Sequence, residues 1–283
     1  MNRELTLREL QKEGLKILKE VHAFCEENNI MYSVAYGTLI GTIRHKGFIP
    51  WDDDIDIIMY RADYERFCET FVSDRYKLAV RPADDHCLLA FARVYDDKTT
   101  FCDAVAPWYG KEAGVFIDVF PIDFVTDNEE DFKQQHAIMQ QYWKKSVTAR
   151  AALGRFRKNK SWKFNLKLMA KKMLYWGSTP AKKMIDTQMR LVIDSIQAEH
   201  TNHWSQLSCL DGYEYHENSD FISTSLFPFE DMVVRVMNGY HSILTKCFGD
   251  YMQLPPVEKR KGHCDGMTLF YWKEGVNCNT NHE

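Results

Sequence analysis

Residues 36–59, Tyr-Gly-Thr-Leu-Ile-Gly-Thr-Ile-Arg-His-Lys-Gly-Phe-Ile-Pro-Trp-Asp-Asp-Asp-Ile-Asp-Ile-Ile-Met, constrain this chain more than any other stretch. Just ahead, 31–36 reads as a short strand of β-branched, aromatic and small residues. Gly37-Thr38 breaks it, and 39–45 has helical spacing. A glycine at a strand-to-helix turn admits close backbone approach, and a helix start offers free N–H groups to phosphate. After Gly47 and Pro50 a second strand is expected over 53–59. Alternation along that strand puts Asp54 and Asp56 on one face, with Ile55 and Ile57 in the core. Paired carboxylates repel, and a hard cation such as Mg²⁺, with Mn²⁺ an alternative, relieves them while keeping positions open for substrate phosphates.

Two plainer readings compete. An acidic cluster before a strand is often a solvated turn. Asp52, Asp54 and Asp56 also alternate as in an EF-hand loop, but Ile57 stands where that loop needs glycine. Gly-Thr before a helix followed by Asp-x-Asp on the next strand favours a phosphate-and-metal arrangement. Gly37 and Thr38 would hold donor phosphate, through backbone N–H groups and the Thr38 hydroxyl.

Gly37-Thr38 with Asp54-x-Asp56 resembles the nucleotidyltransferase signature. The fuller string from Gly37 to Asp56 closely resembles the LicD family of phosphocholine transferases, which includes fukutin-like catalytic domains. The likeness continues at Gly114-Val-Phe-Ile-Asp-Val-Phe-Pro-Ile-Asp123, at Phe229-Glu230 and from Phe248 to Arg260, covering about 10–265 with a weak middle. It implies an α+β fold, a nucleotidyltransferase-like mixed sheet flanked by helices. It also implies a third metal carboxylate from a neighbouring strand: Asp118, with Asp123 as fallback. Asp118 interrupts an otherwise apolar strand expected over 115–120, and a carboxylate there is costly to bury unpartnered. The plainer alternative is a turn cap near Pro121.

A chain of 283 residues can bury a substantial core. No apolar run reaches the ~18 residues of a membrane span. The N-terminus lacks a signal-peptide apolar core, and eight scattered cysteines form no Cys-x-x-Cys pair, so a reduced, cytoplasmic protein is expected. His263, Cys264, Cys278 and His282 match no standard zinc spacing and read as incidental.

The net charge of −4 conceals an asymmetry. Residues 132–185 hold 14 Lys plus Arg and no acid, leaving a balance of −18 elsewhere. Tyr142, Trp143, Phe156, Trp162, Phe164, Tyr175 and Trp176 are interleaved with those cations. That mixture suits a membrane interface, peripheral at the inner face, or else a helical subdomain with a solvated basic face.

Along the chain, Thr6-x-x-Glu9 is a capping box opening a helix to about Glu27. A helix is expected over 61–72, strands over 76–81 and 88–95, helices over 129–150, 161–176 and from Pro180 to about His200, a strand over 232–236, and a helix over 240–248 ended by Gly249. The organisation expected is a catalytic core over 1–125, a basic helical middle segment over 126–200, and a C-terminal segment over 201–283 returning to the core.

The resemblance implies transfer of phosphocholine, or another phospho-alcohol such as ribitol phosphate, from a CDP-linked donor. The acceptor would be a hydroxyl of a cell-surface glycan or teichoic acid precursor, with CMP released. Asp54, Asp56 and Asp118 would hold the metal. Arg44, Lys46, Lys259 and Arg260 are candidates to neutralise phosphate. Aromatic faces hold quaternary ammonium groups, and Trp51, Tyr36, Tyr95, Trp108 and Tyr109 are the cage candidates. One alternative is a nucleotidyltransferase placing a nucleoside monophosphate on a small alcohol or antibiotic. Another is a non-catalytic nucleotide-binding scaffold. No nucleic-acid motif accompanies the basic segment, so no nucleic-acid partner is expected.

Overall fold

The Thr6 side chain accepts from the Glu9 N–H, and Glu9 answers on the Thr6 backbone, so the expected box opens α1 (Leu7–Glu27). Leu10, Gly14, Ile17, Leu18, Val21 and Cys25 form its buried stripe. The computed structural model describes residues 3–103, 113–154, 162–196, 201–262 and 268–273. The fold is α+β, a mixed sheet with helices laid against it.

Next come β1 (Ser33–Val34), α2 (Tyr36–His45), β2 (Asp56–Tyr60), α3 (Arg61–Thr70), β3 (Tyr76–Ala79), β4 (Ala92–Asp96), β5 (Thr99–Asp103) and β6 (Phe116–Val125). The main sheet has the order β1-β2-β6-β4-β3; β2 and β6 run parallel, and the other neighbours are antiparallel. In this central pair Ile57, Ile58 and Met59 are buried on both faces of β2, and Ile117 and Val119 are buried in β6, where Asp118 alone interrupts the apolar stretch 117–119.

Several boundaries differ from the pattern-based expectation. Helix α2 begins at Tyr36, not Leu39, with Tyr36 itself at φ 48. Strand β2 begins at Asp56, so Asp54 lies in the preceding loop, and strand alternation is not what brings it beside Asp56. The strand expected to start at Leu88 starts at Ala92. Strand β6 runs through Pro121 to Val125, five residues beyond expectation. Pairing with β4 has ended at Val119, and pairing with β7 (His203–Ser205) begins only at Asp123. Pro121 sits in that gap, where a missing N–H costs no ladder bond.

The basic middle segment is helical as expected: α4 (Glu129–Ala151), α5 (Trp162–Leu174) and α6 (Thr179–Ser195). Asn128 caps α4; Ser178 precedes α6, so Pro180 falls at the second helical position. A smaller second core joins Val125, Phe132, Met139, Val192, Leu207 and Leu210. The chain then returns through β7 and β8 (His216–Glu217), the hairpin β9 (Thr224–Phe229) and β10 (Met232–Met237), and α7 (Tyr240–Phe248), ended by Gly249 at φ 65. Strand β11 (Thr268–Trp272) pairs β5. Among the described residues no helix is long and apolar enough to cross a membrane.

Candidate active site

A cleft of about 1130 Å³ opens between two walls. The first is built from the start of α2, the acidic loop and the parallel pair β2–β6. Asp56 and Asp118 are direct partners across β2 and β6, so their side chains leave the sheet on one face. Both line the cleft, as do Asp52, Asp54, Gly37 and Trp51.

Backbone bonds fix this wall. The Asp56 N–H donates to the Thr38 Oγ1 (2.9 Å), the Ala35 N–H to the Asp56 carbonyl (2.9 Å), and the Asp118 N–H to the Ile55 carbonyl (2.8 Å). From α1, Gln11 Nε2 donates to the Asp52 carbonyl at 2.8 Å. Gly37 is required by space: a Cβ there would lie 2.7 Å from an Asp52 carboxylate oxygen. Glu230 secures the connector before the acidic loop, accepting from the Phe48 N–H (3.2 Å) and from Arg8 (2.6 Å), while its own N–H donates to the Lys46 carbonyl (2.8 Å). Tyr36, an aromatic held in the left-handed region, is backbone strain stored beside the site.

Burial pushes the Asp56 carboxyl well above its ordinary range, and the charges of Asp54, Asp118 and Asp52 push it further. Carboxylate oxygens of Asp52, Asp53 and Asp54 also gather within 4.8 Å of one another. The two acidic sets share Asp52 and Asp54. Asp118 is paired with Arg93, which forks onto both its oxygens, Nε on one and Nη2 on the other at 2.9 Å. That guanidinium lies 3.7 Å from the Phe116 ring centre. Burial still raises the Asp118 carboxyl, against the opposing pull of Arg93.

The second wall comes from residues 203–217. Tyr36 Oη donates to Glu214 Oε1 at 3.0 Å, and Glu214 Oε2 lies 3.5 Å from His216 Nε2. His216 is 2% exposed, and neither ring nitrogen has a hydrogen-bond partner. Burial, then the Glu214 charge, raises the Tyr36 hydroxyl well above its ordinary value. Tyr213, Tyr215 and Glu217 complete this wall, with His203 stacked on Tyr215 at 4.2 Å.

The structure thus brings Asp54, Asp56, Asp118, Gly37, Trp51 and Tyr36 to one cleft. Other expected positions fall elsewhere. The Thr38 oxygen anchors Asp56 and the residue is 3% exposed, so it braces the wall from behind. Arg44 donates to the Tyr251 and Gln253 carbonyls, clamping the C-terminal segment. Lys46 is the left-handed C-cap of α2. Lys259 ends an exposed turn of 3₁₀ helix, and Arg260 lies 5.4 Å over the Trp51 ring, covering one face of that cage candidate. Tyr95 belongs to the main core, away from the cleft. Asp123, the fallback ligand, is held by Arg61 through two 2.8 Å bonds. Trp108, Tyr109, Phe156, His263, Cys264, Cys278 and His282 lie outside the described residues.

Sequence reasoning missed Asp52 as a wall residue, Lys246 and Lys261 at the rim, and the whole 203–217 wall. It also missed Arg150, whose charge favours ionised Asp118. Only the run Asp52-Asp53-Asp54 carried a local signal.

Residues 29–160 match the family model described as LicD/FKTN/FKRP, nucleotidyltransferase domain. The lipopolysaccharide cholinephosphotransferase LicD of Haemophilus influenzae is 33% identical over 267 residues, 92% of this chain and 97% of the relative. The chain belongs to the LicD family. Membership makes it an enzyme of the transferase class. Two uncharacterised rickettsial proteins share shorter stretches. That of Rickettsia typhi is 28% identical over 121 residues, 40% of this chain and 35% of its own length. That of Rickettsia prowazekii is 44% identical over 48 residues, 17% and 18%.

Proposed function

We propose that this LicD-family enzyme transfers phosphocholine, or a similar phospho-alcohol, from a CDP-linked donor to a hydroxyl of a cell-surface glycan such as lipopolysaccharide or a teichoic acid precursor, releasing CMP. The observation that carries the reading is the convergence of Asp54, Asp56 and Asp118 on one cleft, in a chain that matches a cholinephosphotransferase along nearly its whole length. The cleft is roomy for one small molecule, since ordinary ligand pockets span about 300–1,000 Å³, and its volume near 1130 Å³ suits a donor with part of an acceptor.

The donor set fits a hard divalent cation. Burial first, and then the charges of Asp54, Asp118 and Asp52, make ionised Asp56 costly, and a bound cation offsets that cost. Asp54 and Asp56 would hold Mg²⁺, with Asp52 and Asp118 within electrostatic reach. Bound Mg²⁺ supplies neutralisation of donor phosphate charge and orientation of the acceptor oxygen. The chain's own groups do the rest. Gly37 lets the phosphates approach the α2 backbone, and Lys246 and Lys261 at the rim offset their remaining charge. Arg93 fixes the orientation of Asp118 and favours its ionised form, against the effect of burial. On the far wall Tyr213 and Tyr215 offer ring faces beside Glu214 and Glu217, a lining suited to a quaternary ammonium.

The test is a panel of CDP-alcohols and nucleoside triphosphates incubated with enzyme, Mg²⁺ and a lipopolysaccharide acceptor. Release of CMP from CDP-choline is the expected result. Pyrophosphate from a triphosphate would make the protein a nucleotidyltransferase instead.

A further inference from the structure

Basic residues and aromatics are mixed throughout 132–185, but the fold sorts them. Trp143 packs on the second core, and Ile185 is 1% exposed within α6. Helix α5 is different. It buries Leu168 alone, while Trp162, Leu166, Met169 and Met173 stand exposed at 70%, 48%, 46% and 79%. Spacings of four, three and four put these four on one face of a helix. Trp176, just past the helix end, continues the line at 86% exposure. From Trp162 to Trp176 the stripe runs about 20 Å at the α-helical rise. Lys163, Lys167 and Lys171 follow at intervals of four along the adjoining flank.

An apolar stripe with tryptophans at both ends and a lysine row beside it is the surface of a helix lying in a membrane interface. We propose that α5 docks this protein on an anionic lipid bilayer, inserting Trp162, Met169, Met173 and Trp176 among the acyl chains while the lysines reach the headgroups. Charge complementarity selects this occupant. Residues 132–185 carry 14 cations and no acid, whereas the rest of the chain carries −18 and is repelled by the same surface, which fixes the orientation. A second copy of the chain fits less well, since stripe-to-stripe pairing brings two lysine rows together. The surface also adjoins the cleft through α4: α5 packs on α4, and α4 carries Arg150, the cation felt by Asp118.

Co-sedimentation of the full chain with phosphatidylcholine vesicles, with and without phosphatidylglycerol, tests this directly. Binding should require the anionic lipid and weaken with salt, leaving a residual apolar component. Lys163→Glu with Lys167→Glu and Lys171→Glu should lower the partition coefficient by about fivefold or more per site. Trp162→Ala with Met173→Ala and Trp176→Ala should abolish the high-salt remainder. Trp176→Ala, outside the helix, repeats the test on a variant whose fold is not at risk. Light scattering in the absence of lipid should show no stripe-dependent self-association. Absent binding, equal binding to neutral vesicles, insensitivity to these substitutions, or a dimer abolished by them would each overturn the proposal. None of these readouts depends on which group the enzyme transfers.

Discussion

The two walls of the cleft are built by different means. The acidic wall is local: a helix start, a loop and two adjacent strands supply Gly37, Asp52, Asp54, Asp56 and Asp118, held by main-chain bonds. The opposite wall is made by a segment more than eighty residues further on, which reaches the site because β7 extends β6 beyond Pro121. The Tyr36 hydroxyl ties it to the first wall by donating to Glu214. Under the proposed function, the acidic wall would serve chemistry shared by phosphoryl-transfer enzymes. On the same proposal the second wall would meet the transferred group, and it is where specificity is expected to reside.

Substitutions can break that division. The largest effect belongs to the acidic wall. Asp54→Ala or Asp56→Ala should each lower turnover by on the order of 10²–10³ or more, the usual loss when a pre-organised charge stabiliser is removed. Circular dichroism should be unchanged. Retention of a tenth of wild-type activity in both would remove these residues from the mechanism.

Within the acidic wall, Asp56 and Asp118 should part company in stability. Asp118→Ala removes the carboxylate that Arg93, 12% exposed, forks onto, and breaking a buried pair of this kind costs about 3–5 kcal/mol. Asp56→Asn relieves repulsion, so the metal-free variant should melt above wild type. The Asp56 carboxyl is raised on folding, so this advantage should be small in acid and grow as pH rises through its folded value. Thermal scans without divalent cations check both signs.

The second wall should show up in binding. Glu214→Gln should raise the donor KM on the order of tenfold, the worth of one partly desolvated charge contact, while leaving kcat in place. A fall in kcat with unchanged KM would move Glu214 into the chemistry and dissolve the division of labour.

The smallest effect concerns the connector. The Arg8 bond and the Phe48 N–H hold the Glu230 carboxyl below its ordinary value. Its stabilisation is complete above the ordinary Glu range and is lost as pH falls through the depressed value. Glu230→Gln should therefore cost up to about 1 kcal/mol at neutral pH and less in acid. Urea titrations at the two pH values decide it.

The first wall was legible in the sequence because its parts are neighbours. Gly-Thr before a helix and Asp-x-Asp before a strand are short-range signals, and Asp118 betrayed itself as a charge in an apolar run. Even there the mechanism was misread, since Asp54 reaches Asp56 by loop geometry and not by strand alternation. Thr38, Arg44 and Lys46 had the right chemistry nearby, but backbone groups claim Thr38 and Arg44, and Lys46 serves as a helix cap. Residues 203–217 carry no periodicity or motif; only the extension of β6 brings them to the cleft. The basic segment was visible as composition, and the separation of buried Ile185 from exposed Trp162 needed the packing.

Anomalous diffraction from crystals grown with Mn²⁺ and CDP-choline tests the central claim most directly. The account predicts a manganese peak at about the 2.0–2.2 Å expected for oxygen ligation by Asp54 and Asp56, with the diphosphate beside Gly37 and the choline end toward Tyr213, Tyr215 and Glu214. Manganese bound away from both carboxylates, or a donor lying outside the cleft, would contradict it.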